Sequence, residues 1–309
     1  NGLLNGGSVE EAIRYIDTMD YKEPLFVFVI MVMAATRPIL VMATEMITRL
    51  SSRLPLPKGM RFYCVALSVG PLLGSFITEP AAMTVTALIL LERFFKSPAM
   101  SEKFKFSTLG TLFVNVSIGG TLTHFAAPPV VMVASKWGWG LAHMFGAFGW
   151  KAVIAVLINT AVVAFINRAE LHEISEHRFL HHNDPPTEKT IPMARWMVVL
   201  NVLLIAGVVG TAHHPKVFMG IFMLFLGIVA VTKEYHDAIK LKEGFLVGFF
   251  LAGLVTLGTL QEWWLQPLLN ALGETPLFLG TVALTAVTDN AALTYLGSLV
   301  EGLSDEIGR

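Results

Sequence analysis

A chain of 309 residues that is 54% hydrophobic and only 15% charged, with a mean hydropathy of +0.63, is too apolar for a water-soluble fold and reads as an all-α polytopic membrane protein. A net charge of −1 offers no general attraction for nucleic acid, and the single Cys64 excludes a disulfide framework and a four-cysteine metal centre. The chain opens on Asn1-Gly2-Leu3-Leu4, with neither a Met nor a basic-then-apolar leader, so it is expected to begin inside a longer protein.

Residues 1–23 carry mixed charges and read as a short surface helix outside the bilayer. From Pro24 to about Thr48 the chain is apolar for long enough to cross a hydrocarbon core of about 30 Å, interrupted by Arg37-Pro38. An Arg at such depth needs a partner, so Arg37 and Glu45, two turns apart, are a candidate intramembrane ion pair; snorkelling of Arg37 to the interface is the alternative. Residues 49–61 hold Arg49, Arg53, Lys58 and Arg61 and no acid, which marks a cytoplasmic loop. The apolar stretch 62–91 follows, and the next loop, 92–107, is basic again. Basic loops on both sides predict that 62–91 enters and leaves by one face, as a re-entrant helical hairpin with Thr78-Glu79-Pro80 at its tip.

Residues 108–136 then cross outward. Gly119-Gly120 and Pro128-Pro129 should unwind this span into two half-helices whose ends aim their partial charges at whatever binds between them. Residues 141–167 return inward. The polar segment 168–193, rich in His and acidic residues, reads as a cytoplasmic linker. Spans are expected at 194–211, 215–232 and 244–260, and the stretch 261–275, with Trp263-Trp264 and no Lys or Arg, belongs outside.

The last apolar segment, 276–300, contains Thr288-Asp289-Asn290-Ala291-Ala292-Leu293-Thr294, which repeats Thr78-Glu79-Pro80-Ala81-Ala82-Met83-Thr84 at a distance of 210 positions. Ionisable groups in apolar membrane segments are functional candidates by default, and matched interruptions in two halves point to a transporter's central site. The first copy has eight Lys/Arg in its flanking loops and the second only Arg309, so the two hairpins are expected to enter from opposite faces. This is an inverted-topology arrangement: 1–167 is the first repeat, 168–193 the linker and 194–309 the second repeat. Gly119 follows Thr84 by 35 residues, so the second unwound loop is expected near position 329, past the end of the chain.

The runs Gly74–Leu91, Asn115–Pro129, Lys242–Leu268 and Thr285–Leu296 resemble the sodium/proton antiporter branch of the ion transporter superfamily, and the resemblance covers nearly the whole chain. It implies two re-entrant hairpins and two unwound helices meeting at mid-membrane around ion and substrate. By that resemblance Thr78, Glu79 and Pro80 form the inner tip, Gly119, Gly120, Thr121 and Thr123 the first unwound loop, and Thr288, Asp289 and Asn290 the outer tip. Relatives often carry Gly-Asp-Pro-Pro-Asn after the Gly-Gly loop, where this chain has Ala126-Ala127-Pro128-Pro129-Val130. The resemblance also implies a multi-pass protein of a bacterial-type inner membrane, in contact with lipid, and a homodimer as in many relatives.

The chemistry expected is exchange of Na+ or Li+ for H+ without a cofactor. Hydroxyls, carbonyls and the Asn290 amide supply oxygens or a polar contact, while Glu79 and Asp289 bind either proton or cation, which couples the two fluxes. Glu79 also suits an ion pair with Arg37, and Asp289 suits an N-cap for the helix that follows it. His124 is a candidate proton site or pH sensor, or a hydrogen-bonded structural group. Export of a metalloid oxyanion and sodium-coupled transport of an organic anion are the alternatives within transporters, although tip carboxylates repel anions. A histidine-box membrane enzyme built on His172, His177, His181, His182, His213 and His214 is the alternative from another class.

Overall fold

The structure is a computed structural model and describes residues 9–97, 100–134, 136–181, 193–271 and 274–299. Every regular element among these residues is a helix, with no strand. The elements are α1 (Val9–Asp17), α2 (Lys22–Ala34), α3 (Arg37–Arg53), α4 (Lys58–Ile77), α5 (Glu79–Leu90), α6 (Glu102–Gly119), α7 (Pro128–Ala134), α8 (Leu141–Met144), α9 (Trp150–Ile166), α10 (Arg168–His181), α11 (Arg195–Gly210), α12 (Pro215–Val231), α13 (Leu241–Gly258), α14 (Glu262–Ala271), α15 (Glu274–Thr285) and α16 (Asn290–Ser298).

A helix that is apolar all round belongs inside, and α2 is the case here: every residue from Phe26 to Ala34 is buried. It ends at Ala34, Thr36 turns extended, and a new helix starts with Pro38 in its first turn, where the missing N–H costs no helical bond. The resulting bend between α2 and α3 is 67°. Phe26 and Phe28 of α2 meet Phe218 and Phe222 of α12 edge-on, with ring centroids 5.9 and 5.4 Å apart. On another side of α2, α13 runs antiparallel, with Gly244 against Val32 and Gly248 against Phe28. At the far end of that pair the Tyr15 hydroxyl donates to the Thr256 carbonyl at 2.6 Å, which ties α1 to α13.

The second packing unit is built on α4. Gly70 faces Thr86, Gly74 faces Ala82 and Phe62 faces Phe94, so α4 and α5 form a tight antiparallel hairpin with its turn at Thr78. α6 lies parallel to α4, and α9 lies antiparallel to both. Asn115 joins the three through bonds to the Leu67 carbonyl at 2.8 Å and to Thr160 at 3.0 Å.

The outer faces are apolar. Leu157, Ile158 and Phe165 of α9 and Leu246, Phe249 and Leu257 of α13 are exposed, and only 22% of the most apolar window of α13 is buried, so lipid is the solvent that suits these faces. Among the described residues three helical segments are long and apolar enough to cross a membrane: Gly59–Ile77, Leu141–Ile166 and Leu241–Gln261; the bent α2–α3 pair makes a fourth if it counts as one span. That is fewer than the sequence suggested, because α11 and α12 are shorter. The stretch 168–193 is described only in part. Its first part is α10, which buries Leu171 and Ile174, and Glu170 accepts hydrogen bonds from the Ser101 amide and hydroxyl. Residues 182–192 lie outside the described residues.

Candidate functional site

The site is made where the α4–α5 turn meets the break after α6. Thr78 joins the two hairpin helices as a single residue at φ 73 and ψ 149. A β-branched residue rarely adopts positive φ, and the surrounding packing has to hold it there. Pro80 in the first turn of α5 forgoes no helical bond, since the first amides have no partner inside the helix. Thr78 is 3% exposed, and its hydroxyl has no hydrogen-bond partner among the described residues.

The opposing segment leaves the α-helix at Gly119, makes one turn of 3₁₀-helix over Gly120–Leu122 and becomes extended at Thr123 before α7. Ser75, a residue the sequence reading passed over, clamps this segment to the hairpin. Its hydroxyl donates to the Gly119 carbonyl at 2.5 Å and accepts from the Leu122 amide at 2.8 Å, and its own carbonyl accepts from the Thr123 hydroxyl at 2.5 Å. A small hydroxyl inside an otherwise apolar helix turn was the available signal. The two glycines are needed because the backbones touch. A Cβ on Gly119 would stand 2.5 Å from the Pro71 carbonyl oxygen, and one on Gly120 would collide with the Glu79 carboxylate.

Glu79 thus rests its carboxylate on the Gly120 backbone, in a half-buried position, with no hydrogen bond or ion pair to any described residue. The ends of α4 and α6 both abut this point, and helix C-termini carry partial negative charge. Thr121 donates its hydroxyl to the Ile118 carbonyl at 2.7 Å, and Thr123 donates to Ser75. Each still has lone pairs free to accept a hydrogen bond or meet a cation. His124 packs edge-on against Phe125, and its buried Nδ1 has no partner among the described residues.

The second motif copy stands elsewhere. Asp289 is the N-cap of α16, accepting from the amides of Ala291 at 2.8 Å and Ala292 at 3.1 Å. Thr288, Asp289 and Asn290 are all exposed, and the Thr288 hydroxyl donates back to the Leu284 carbonyl at 2.8 Å. α16 docks chiefly on α7, the half-helix that follows the break, while α15 touches mainly α16. Asp289 and Glu79 share no hydrogen-bonding partner.

The expected pairing of Arg37 with Glu45 is not the one formed. Glu45 binds Arg49 one turn along the same exposed helix face at 2.8 Å, because i,i+4 spacing on a helix brings the two side chains together. Arg37 donates to the Glu234 carbonyl at 3.4 Å rather than reaching Glu79. In the same loop, burial holds His236 below the usual histidine range, with the Arg37 charge adding to the effect and Asp237 opposing it. Among the described residues no three His, Cys, Asp or Glu side chains converge as a metal cluster would require; of the histidine-box residues, His182 and the side chains of His177 and His181 lie outside the described ones.

Lipid-facing helices around a buried helix break define an integral membrane protein of the all-helical class. The chain belongs to the family described as "Putative Na+/H+ antiporter", whose model matches residues 3–308. Membership points to transport. No curated protein and no solved structure matches it.

Proposed function

We propose that the protein exchanges Na+ or Li+ for H+ across the membrane by alternating access, with Glu79 as the coupling group. The observation that carries this reading is an unpaired carboxylate seated on the Gly120 backbone where a hairpin tip meets an unwound helix. A carboxylate binds either a proton or a small cation, so one site that both must occupy in turn links their movements. The hydroxyl oxygens of Thr78, Thr121 and Thr123 and the carbonyl ends of α4 and α6 complete a cation's oxygen shell. This is the kind of discontinuous-helix site that inverted-repeat transporters use. In the same reading the α4–α5 hairpin is re-entrant, α15 and α16 are its counterpart in an inverted second repeat, and the protein resides in a bacterial-type inner membrane. Asp289, already engaged by its own helix, holds the start of α16 in this conformation.

The test is proton movement in liposomes containing the full-length protein, followed with an internal pH dye while sodium, lithium or potassium is added outside. Sodium or lithium should drive proton flux, and Glu79→Gln should remove it. Absence of cation-driven proton movement at every pH, with the protein folded, would sink the reading.

A further inference from the structure

Besides the loop at Gly119–Thr123, the hairpin tip borders a cavity of about 250 Å³. Thr78 and Thr84 of the hairpin line it, Ala35 at the α2–α3 bend closes one wall, and Lys240 and Glu243 at the start of α13 stand opposite. Lys240 and Glu243 are the only charged lining residues among those described. Both are exposed, and no ion pair joins them to each other. At the other extreme, Thr78 is 3% exposed and its hydroxyl lacks a partner among the described residues. The cavity therefore grades from solvent-facing charges to a buried oxygen that is the chain neighbour of Glu79. Lys240 and Glu243 lie far from the hairpin tip in sequence. The bend at Thr36 and the antiparallel packing of α13 on α2 bring the two together.

We propose that this cavity is the aqueous route by which the transported cation reaches the hairpin tip. Glu243 concentrates cations at its mouth, and Lys240 on the same rim limits that attraction. A carboxylate at the entry of a narrow, low-dielectric cleft raises the local cation concentration, and a neighbouring ammonium lowers it. Apart from the Thr84 hydroxyl, which donates to the Pro80 carbonyl, the remaining wall is largely Met, Leu, Ala and Pro and offers an ion little to hold it before the Thr78 oxygen. The proposal rests on the reading of the tip as a cation site, and it adds the path and two residues that nothing in the motif pattern singled out.

The experiment separates the path from the transport. In full-length protein carrying Cys64→Ala and Thr84→Cys, reconstituted in liposomes, the rates of modification by a cationic and a neutral thiol reagent of similar size are compared. The cationic reagent should react several-fold faster, Glu243→Gln should remove that advantage and Lys240→Gln should enlarge it. In flux assays Glu243→Gln should raise the apparent KM for sodium about tenfold, at the lower end of electrostatic focusing, leave the maximal rate unchanged and be rescued by Glu243→Asp. A Thr84→Cys thiol that is unreactive, or indifferent to reagent charge in all three backgrounds, overturns the route. So does a sodium KM that Glu243→Gln does not move. Charge-dependent labelling in a protein that exchanges no cation for protons would support the route while removing the antiport reading.

Discussion

Thr78-Glu79-Pro80 and Thr288-Asp289-Asn290 occupy corresponding places between two helices, yet Thr78 is 3% exposed while every residue from 278 to 290 is exposed. The local chemistry already separates them. Asp289 is short, precedes its helix and folds back onto the amides of Ala291 and Ala292, which is what an N-cap does. Glu79 is a methylene longer and is itself the first residue of α5, so its carboxylate extends away from the helix end to Gly120. The surroundings complete the difference. α4 and α5 press on each other and on α6, whereas α15 has little beside it among the described residues except α16. Two similar phrases therefore produce one unpaired carboxylate and one satisfied by its own backbone.

The contrast breaks most sharply under neutralisation of each carboxylate. Glu79→Gln is expected to lower sodium-driven proton flux by about a hundredfold or more, the low end of what a positioned proton-transfer group contributes, while Asp289→Asn, which keeps a capping side chain, changes it little. Equal losses, or the reverse order, would mean that the exposed copy carries the coupling. Gly120→Ala sharpens the same contrast by placing a methyl on the Glu79 carboxylate; it should cost about 1–3 kcal/mol of stability, read as a lower Tm in detergent, and depress flux as well.

Relief of strain tests the tip from the other direction. Thr78→Gly should gain up to about 1–3 kcal/mol, because φ 73 with ψ 149 suits glycine, yet weaken sodium binding through loss of the hydroxyl. A variant that is more stable and transports as well as the parent would remove Thr78 from the site. The smallest effect belongs to the outer copy: Asp289→Ala should cost about 1 kcal/mol of α16 stability, and Asp289→Asn only a fraction of that. Thermal unfolding of the two side by side separates capping from ion binding.

Much of the architecture could be read from the chain. The Gly-Gly and Pro-Pro pairs mark where α6 stops and α7 starts, the Thr-Glu-Pro run marks the turn between α4 and α5, and Arg37-Pro38 marks the bend after α2. Each of these is a backbone property, set by a missing donor, a missing Cβ or a restricted φ, and such properties belong to the residue wherever it is placed. The site residues were legible as types rather than as partners. Glu79 and Gly120 were both named from sequence, but their contact was not. Ser75, Lys240 and Glu243 carried no motif, and the partner of Glu45 is Arg49 one turn along the helix rather than Arg37 two turns back.

The sequence by itself determined that this is an all-helical membrane chain, where its helices break, and which carboxylates stand at the breaks. Only the tertiary structure decided that Glu79 faces a glycine backbone without a partner among the described residues and that the α13 start borders the hairpin tip. The physical reason is range. Helix breaks follow from each residue's own torsional and hydrogen-bonding limits, whereas burial, pairing and access depend on packing between segments far apart in the chain, which no local pattern encodes.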